Sequence, residues 1–113
     1  MKVKIIPSPE FNLQFRRLAK KYKSLPIDYL NFSKSLKEDP LQGDDLGRGV
    51  RKVRMSIGSK HKGKSGGARV LTRTVLVSNN ADVTLLTIYD KGEIENVTDK
   101  YIKWLVEQYK AKK

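Results

Sequence analysis

Hydrophobic positions recur with two different periods along the chain, and the change of period marks its elements. From position 9 to 22, Phe11, Phe15, Leu18 and Tyr22 recur at helical spacing and form one apolar stripe. Ser8 followed by Pro9 is a helix start, with a capping hydroxyl and then proline at the first helical position, where no N–H is needed. Ser24-Leu25-Pro26 breaks this helix and opens another, with Tyr29, Phe32 and Leu36 inward, and Asp39-Pro40 ends it. So short a connection predicts an antiparallel helical hairpin. Ahead of it, Val3-Lys4-Ile5-Ile6 predicts a short strand. A glycine-rich loop at 40–49 follows the hairpin, and then the period falls to two. Val53, Met55 and Ile57 point one way, while Lys52, Arg54 and Ser56 point the other. Further strands are predicted at 68–77 and 83–89, joined as a hairpin by Ser78-Asn79-Asn80. Positions 90–97 read as a link. Thr98 caps a last helix, with Ile102, Leu105, Val106 and Tyr109 inward.

The order β-α-α-β-β-β-α predicts an α+β fold: a small antiparallel sheet packed on one face by an N-terminal helical hairpin and a C-terminal helix. At 113 residues the chain is expected to be a single domain over 1–113. No run of apolar residues is long enough for a membrane-spanning helix, and MKVKIIPSPE lacks the apolar stretch of a signal peptide. With no cysteine, thiolate metal sites and disulfides are excluded, and the expected location is cytoplasmic.

Charge sharpens the picture. Lys+Arg is 24 against 12 for Asp+Glu, a net charge of +12, which predicts an anionic partner. The excess is local, because positions 46–81 hold no acidic residue. The loop Lys60-His61-Lys62-Gly63-Lys64-Ser65-Gly66-Gly67 concentrates it, then runs into a strand carrying Arg69 and Arg73. Four residues apart on a strand, these two share a face about 13 Å apart. Arg54 joins them if the strand register allows. Guanidinium groups hold phosphate bidentately and stay charged at any working pH, although a single arginine there also fits an ordinary solvated sheet face. Lys60, His61, Lys62 and Lys64 are candidates for gripping a nucleic-acid backbone. His61, the only histidine, fits either an exposed loop position or a general acid–base role. The letters from Gly58 to Ser65 match a phosphate-binding G-x-x-x-x-G-K-S loop, but a glycine pair and a strand follow where that motif needs a helix. Tyr89 shares parity with Val83 and Leu85, so it reads as core or as a ring for stacking on a base. Lys91 and Glu93 suit proton transfer if the fold brings them beside Arg73.

KGKSGGARV at 62–70 and LLTIYDKGEIENVTD at 85–99 together resemble the HigB-like branch of the RelE/ParE toxins of bacterial type II toxin–antitoxin systems. The resemblance implies a toxin that acts as a ribosome-dependent mRNA endonuclease, needing no metal or cofactor, and blocks translation. Its partners would be the ribosome, mRNA and a cognate antitoxin, often carrying a helix-turn-helix domain. In that chemistry the RNA 2′-hydroxyl attacks the adjacent phosphate, and the protein supplies a base, arginines for the growing charge and an acid for the leaving 5′ oxygen. Carried over, Arg69, Tyr89 and Lys91 are the motif residues, and Arg54 and Arg73 fit the phosphate clamp by strand position. Gly92 and Ile94 depart from the pattern, where a small polar residue and a lysine are common. Two other readings stay open: a non-catalytic toxin of the same fold that inhibits DNA gyrase, and a basic RNA- or ribosome-binding module without activity.

Overall fold

A computed structural model describes residues 1–60 and 66–109 of the chain. It is an α+β fold of three helices and five strands, in the order β1 (Lys2–Pro7), α1 (Pro9–Lys21), α2 (Leu25–Glu38), β2 (Asp44–Asp45), β3 (Val50–Met55), β4 (Ala68–Val77), β5 (Asn80–Asp90) and α3 (Asp99–Gln108). The strands form one sheet in the spatial order β1-β5-β4-β3-β2.

The expected helix starts are present. Ser8 Oγ accepts from Phe11 N–H at 3.0 Å, and the same hydroxyl donates to Leu86 O at 2.9 Å, so one buried side chain both caps α1 and fastens it to β5. Thr98 Oγ1 caps α3 by accepting from Tyr101 N–H at 3.1 Å. Phe15 of α1 meets Tyr29 of α2 edge-on, with ring centroids 5.5 Å apart.

Three features differ from the expectation. The sheet is mixed, because β1 runs parallel to β5 while the other pairings are antiparallel. The helices do not share one face. Phe11, Leu18, Leu25, Phe32 and Leu36 from α1 and α2 pack on Val53, Val70, Val83 and Leu85. Ile102, Leu105 and Val106 from α3 pack instead on Val50, Leu71 and Leu86. Val70 and Leu71 are successive residues of one strand, so the two clusters lie on opposite sides of the sheet. The third is the two-residue strand β2, which covers the edge of β3 only at Arg51 and Lys52.

Alternation also breaks within β5. The β4–β5 pairing runs from Leu71↔Thr87 to Thr72↔Leu85, leaving Leu86 as an extra residue. This bulge reverses parity. Val83 and Leu85 face α1 and α2, whereas Tyr89 packs in the cluster beneath α3. Tyr89 is therefore core, but on the face opposite to the one its shared parity with Val83 and Leu85 predicts.

Candidate nucleic-acid interface

Gly67 shows why the basic loop must re-enter the sheet through glycine. A methyl group on it would lie 2.3 Å from Met55 O, so the backbones of β3 and the loop meet too closely for any side chain. Gly67 O also accepts from Lys91 N–H at 3.2 Å, which ties the ends of three strands together.

From this anchored end the register sets out the basic face. Arg54 pairs with Arg69, and Arg69 pairs with Tyr89, forming one row across β3, β4 and β5. Lys52, Leu71 and Thr87 make the next row, and Val50, Arg73 and Thr84 the third. Arg54, Lys52, Arg69 and Arg73 thus share the α3 side of the sheet, so the register does bring Arg54 to the other two arginines.

The four differ in exposure. Arg54 is exposed and Lys52 and Arg73 are half-buried, but Arg69 is only 4% exposed and Tyr89 only 3%. An Arg69 guanidinium nitrogen donates to Ala68 O at 3.1 Å. Burial raises the Tyr89 pKa, and the nearby Arg69 charge opposes that shift without cancelling it, so the phenol keeps its proton at neutral pH. Its buried hydroxyl has no hydrogen-bond partner among the described residues, and neither do Thr72 Oγ1 and Arg73 Nε. Arg73 lies against the turn Gly47-Arg48-Gly49, whose φ angles of 84°, 57° and 75° are all left-handed.

The other candidates fall elsewhere. Lys60 ends a short 3₁₀ turn at Gly58–Lys60, and it is not a free loop charge. Its ammonium donates to Asp90 Oδ1 at 2.7 Å, and its side chain is 13% exposed. Lys91 is exposed at the end of β5. The fold does not bring Lys91 and Glu93 beside Arg73. Asp90 is level with Ala68 and Thr84 with Arg73, which puts five residues of strand, roughly 16 Å, between them. Glu93 instead pairs with Arg17 of α1 at 3.2 Å. His61, Lys62 and Lys64 lie outside the described residues.

Two polar groupings were not foreseen from the sequence. Asp90 is 1% exposed and accepts hydrogen bonds from Lys60, from the Tyr22 hydroxyl and from Gly92 N–H. Burial alone would raise its pKa, but these bonds and the Lys60 charge outweigh burial and hold it below the usual carboxylate value. A pocket of about 410 Å3 lies where β1 has ended and α1 runs beside β5, lined in part by Arg17, Ile94 and Tyr101. There Tyr101 Oη donates to Glu10 Oε2 at 2.8 Å and lies 3.1 Å from Thr87 Oγ1. Burial pushes the Tyr101 pKa up to about 12, against the Thr87 hydrogen bond and with the Glu10 carboxylate. Neither grouping has a sequence signature, since each joins residues from three or more separate segments.

Among the described residues, no three His, Cys, Asp or Glu side chains gather as a metal-ligand set, and no helix is long and apolar enough to cross a membrane. Compared with known proteins, the chain matches no family model and no curated protein sequence.

Proposed function

We propose that this protein is the toxin of a type II toxin–antitoxin pair and cuts mRNA on the translating ribosome. The observation that carries the reading is the row Arg54, Arg69, Tyr89, flanked on the same face by Lys52 and Arg73. Such a face binds a phosphodiester by several charge-assisted hydrogen bonds. In the proposed reaction the 2′-hydroxyl of the message passes its proton to a water and attacks the adjacent phosphate, so that the P–O5′ bond breaks and a 2′,3′-cyclic phosphate is left. Arg69 and Arg73 stabilise the charge that builds on the phosphoryl oxygens, and Arg54 holds the flanking backbone. Tyr89, kept protonated by burial, is suited to donate a proton to the leaving 5′ oxygen rather than to act as base. Lys91, exposed at the rim, is available for backbone contact or proton transfer. The expected partners are ribosome, message and a cognate antitoxin, and the expected compartment is the cytoplasm.

Burial of Arg69 and Tyr89 supplies a physical reason for ribosome dependence. Free RNA meets only the exposed Arg54 of this row, whereas a message held rigidly against the toxin can be driven onto Arg69 and Tyr89. The same burial favours the second reading, a basic RNA or ribosome binder without activity. Substitution in a translating extract separates the two. Arg69→Ala and Arg73→Ala should each lower cleavage by about 10²–10³-fold while the protein stays folded. Full cleavage by Arg73→Ala would remove it from the clamp. A supercoiling assay addresses the gyrase alternative, because only that reading expects gyrase inhibition with messages intact.

A further inference from the structure

On the α2 side of the sheet, a second cavity of about 270 Å3 opens between α2 and the outer edge of β3. Beyond Lys52 that edge has no strand beside it among the described residues. Asp28, Asn31 and Phe32 form one wall, and Arg54 and Ser56 belong to the other. Of these, the proposed reaction uses only Arg54.

Asp28 is fixed in place. Its Oδ2 accepts from Ser24 Oγ at 2.7 Å and from Gly58 N–H at 3.0 Å, and Ser24 Oγ in turn accepts from Ser59 N–H at 2.8 Å. One carboxylate oxygen therefore pins the start of the basic loop. The other, Oδ1, has no hydrogen-bond partner among the described residues, and neither do the side chains of Asn31 and Ser56. An acceptor already oriented by two donors loses little freedom when it binds a ligand. On the same wall stand the free amide of Asn31 and the ring of Phe32. The cavity is smaller than the roughly 300–1,000 Å3 of drug-sized sites, and it suits one planar base rather than a whole nucleotide.

We propose that this cavity is a base-reading subsite that takes a guanine of single-stranded RNA, an inference that rests on the RNA-directed function above. Guanine alone among the four RNA bases presents two adjacent donors, N1–H and the N2 amino group, on its Watson–Crick edge. Adenine and cytosine set an acceptor beside their one amino group, which a carboxylate repels, and uracil flanks its N3–H with two carbonyls. Asp28 Oδ1 is the acceptor for the two guanine donors, and the Asn31 amide can donate to O6. Arg54 connects the subsite to the reaction face, because it borders the cavity and also stands opposite Arg69. A base turned into the cavity leaves its backbone at the open edge of β3, where Arg54 stands.

The test is fluorescence anisotropy of the full chain with labelled oligouridine carrying one central guanosine, inosine or adenosine. Inosine keeps N1–H and O6 but lacks the N2 amino group. Guanosine should bind about tenfold more tightly than adenosine, with inosine between them. Asn31→Ala, at an exposed position, should shrink that ratio by about threefold or more, and Asp28→Asn should do the same. Equal affinity for the three oligomers, or a ratio that survives both substitutions, overturns the subsite. A guanosine preference in a protein that leaves messages uncut on ribosomes keeps the subsite and removes the nuclease. Cleavage without any base preference does the reverse.

Discussion

Asp90 closes β5 with 1% of its surface exposed, and an uncompensated carboxylate there would cost several kcal/mol. Lys60, Tyr22 and Gly92 supply the compensation, and they come from a loop, the end of a helix and a turn. Removing the cation should therefore destabilise the fold as well as alter the loop. Lys60→Ala is expected to cost about 3 kcal/mol in urea unfolding at pH 7, the low end for a broken buried pair because Tyr22, Gly92 and the Lys21 ammonium, 4.0 Å from Asp90 Oδ2, remain. The pH dependence has a definite sign. The folded-state pKa of Asp90 lies below its unfolded value of about 3.9, so its stabilisation is present above that pH and is lost as pH falls through the folded value. The stability gap between wild type and Asp90→Asn should be widest near pH 7 and shrink below about pH 4. A gap independent of pH would mean that Asp90 is not the ionised centre of this cluster. None of this was legible in the sequence. Asp90 stood in a segment read as a link, and the lysine that neutralises it is 30 positions away, in a loop read as facing RNA.

The elements themselves were largely legible, because strong periodicity fixes their type. Phe11, Leu18, Phe32 and Leu36 face inward as their helical spacing predicts, and β4 spans Ala68–Val77 as expected. What alternation cannot show is the identity of a neighbour. Nothing in Val3-Lys4-Ile5-Ile6 says that this strand runs parallel to β5, and the pair Asp44-Asp45 has no apolar pattern to mark it as a strand. Burial does not mark the bulge either: Leu85 and Leu86 are buried in succession, but so are Val70 and Leu71 on β4, because helices cover both sides of the sheet. Missing the bulge put Tyr89 on the wrong face, although the arginine row on β4 was placed correctly because that strand carries no extra residue. Gly67 offers a test at this scale. With Met55 O only 2.3 Å from a modest methyl, Gly67→Ala must push β3 and β4 apart. The expected result is a melting temperature lower by about 5–15 °C, measured by circular dichroism. An unchanged value would show that the loop enters the sheet by another path.

For the whole molecule, a net charge of +12 means that binding to any nucleic acid carries a large electrostatic part, so affinity alone says little about function. The salt slope is more informative. Each phosphate contacted on a single strand contributes about −0.7 to the slope of log K against log salt. Arg54→Ala should make that slope shallower by about this amount, because Arg54 is the exposed member of the arginine row. No change would place the phosphate path elsewhere on the surface. Cleavage is the property that separates an enzyme from a basic binder with the same charge. The most direct measurement is therefore message integrity in a cell-free translation reaction with the purified protein, beside a ribosome-free reaction with the same RNA, with the cut ends mapped. Cuts are expected only where ribosomes are present, and they should be lost on Arg69→Ala. Intact message in both reactions would contradict the nuclease reading, and the row Arg54, Arg69, Tyr89 would then be a docking face for an anionic partner.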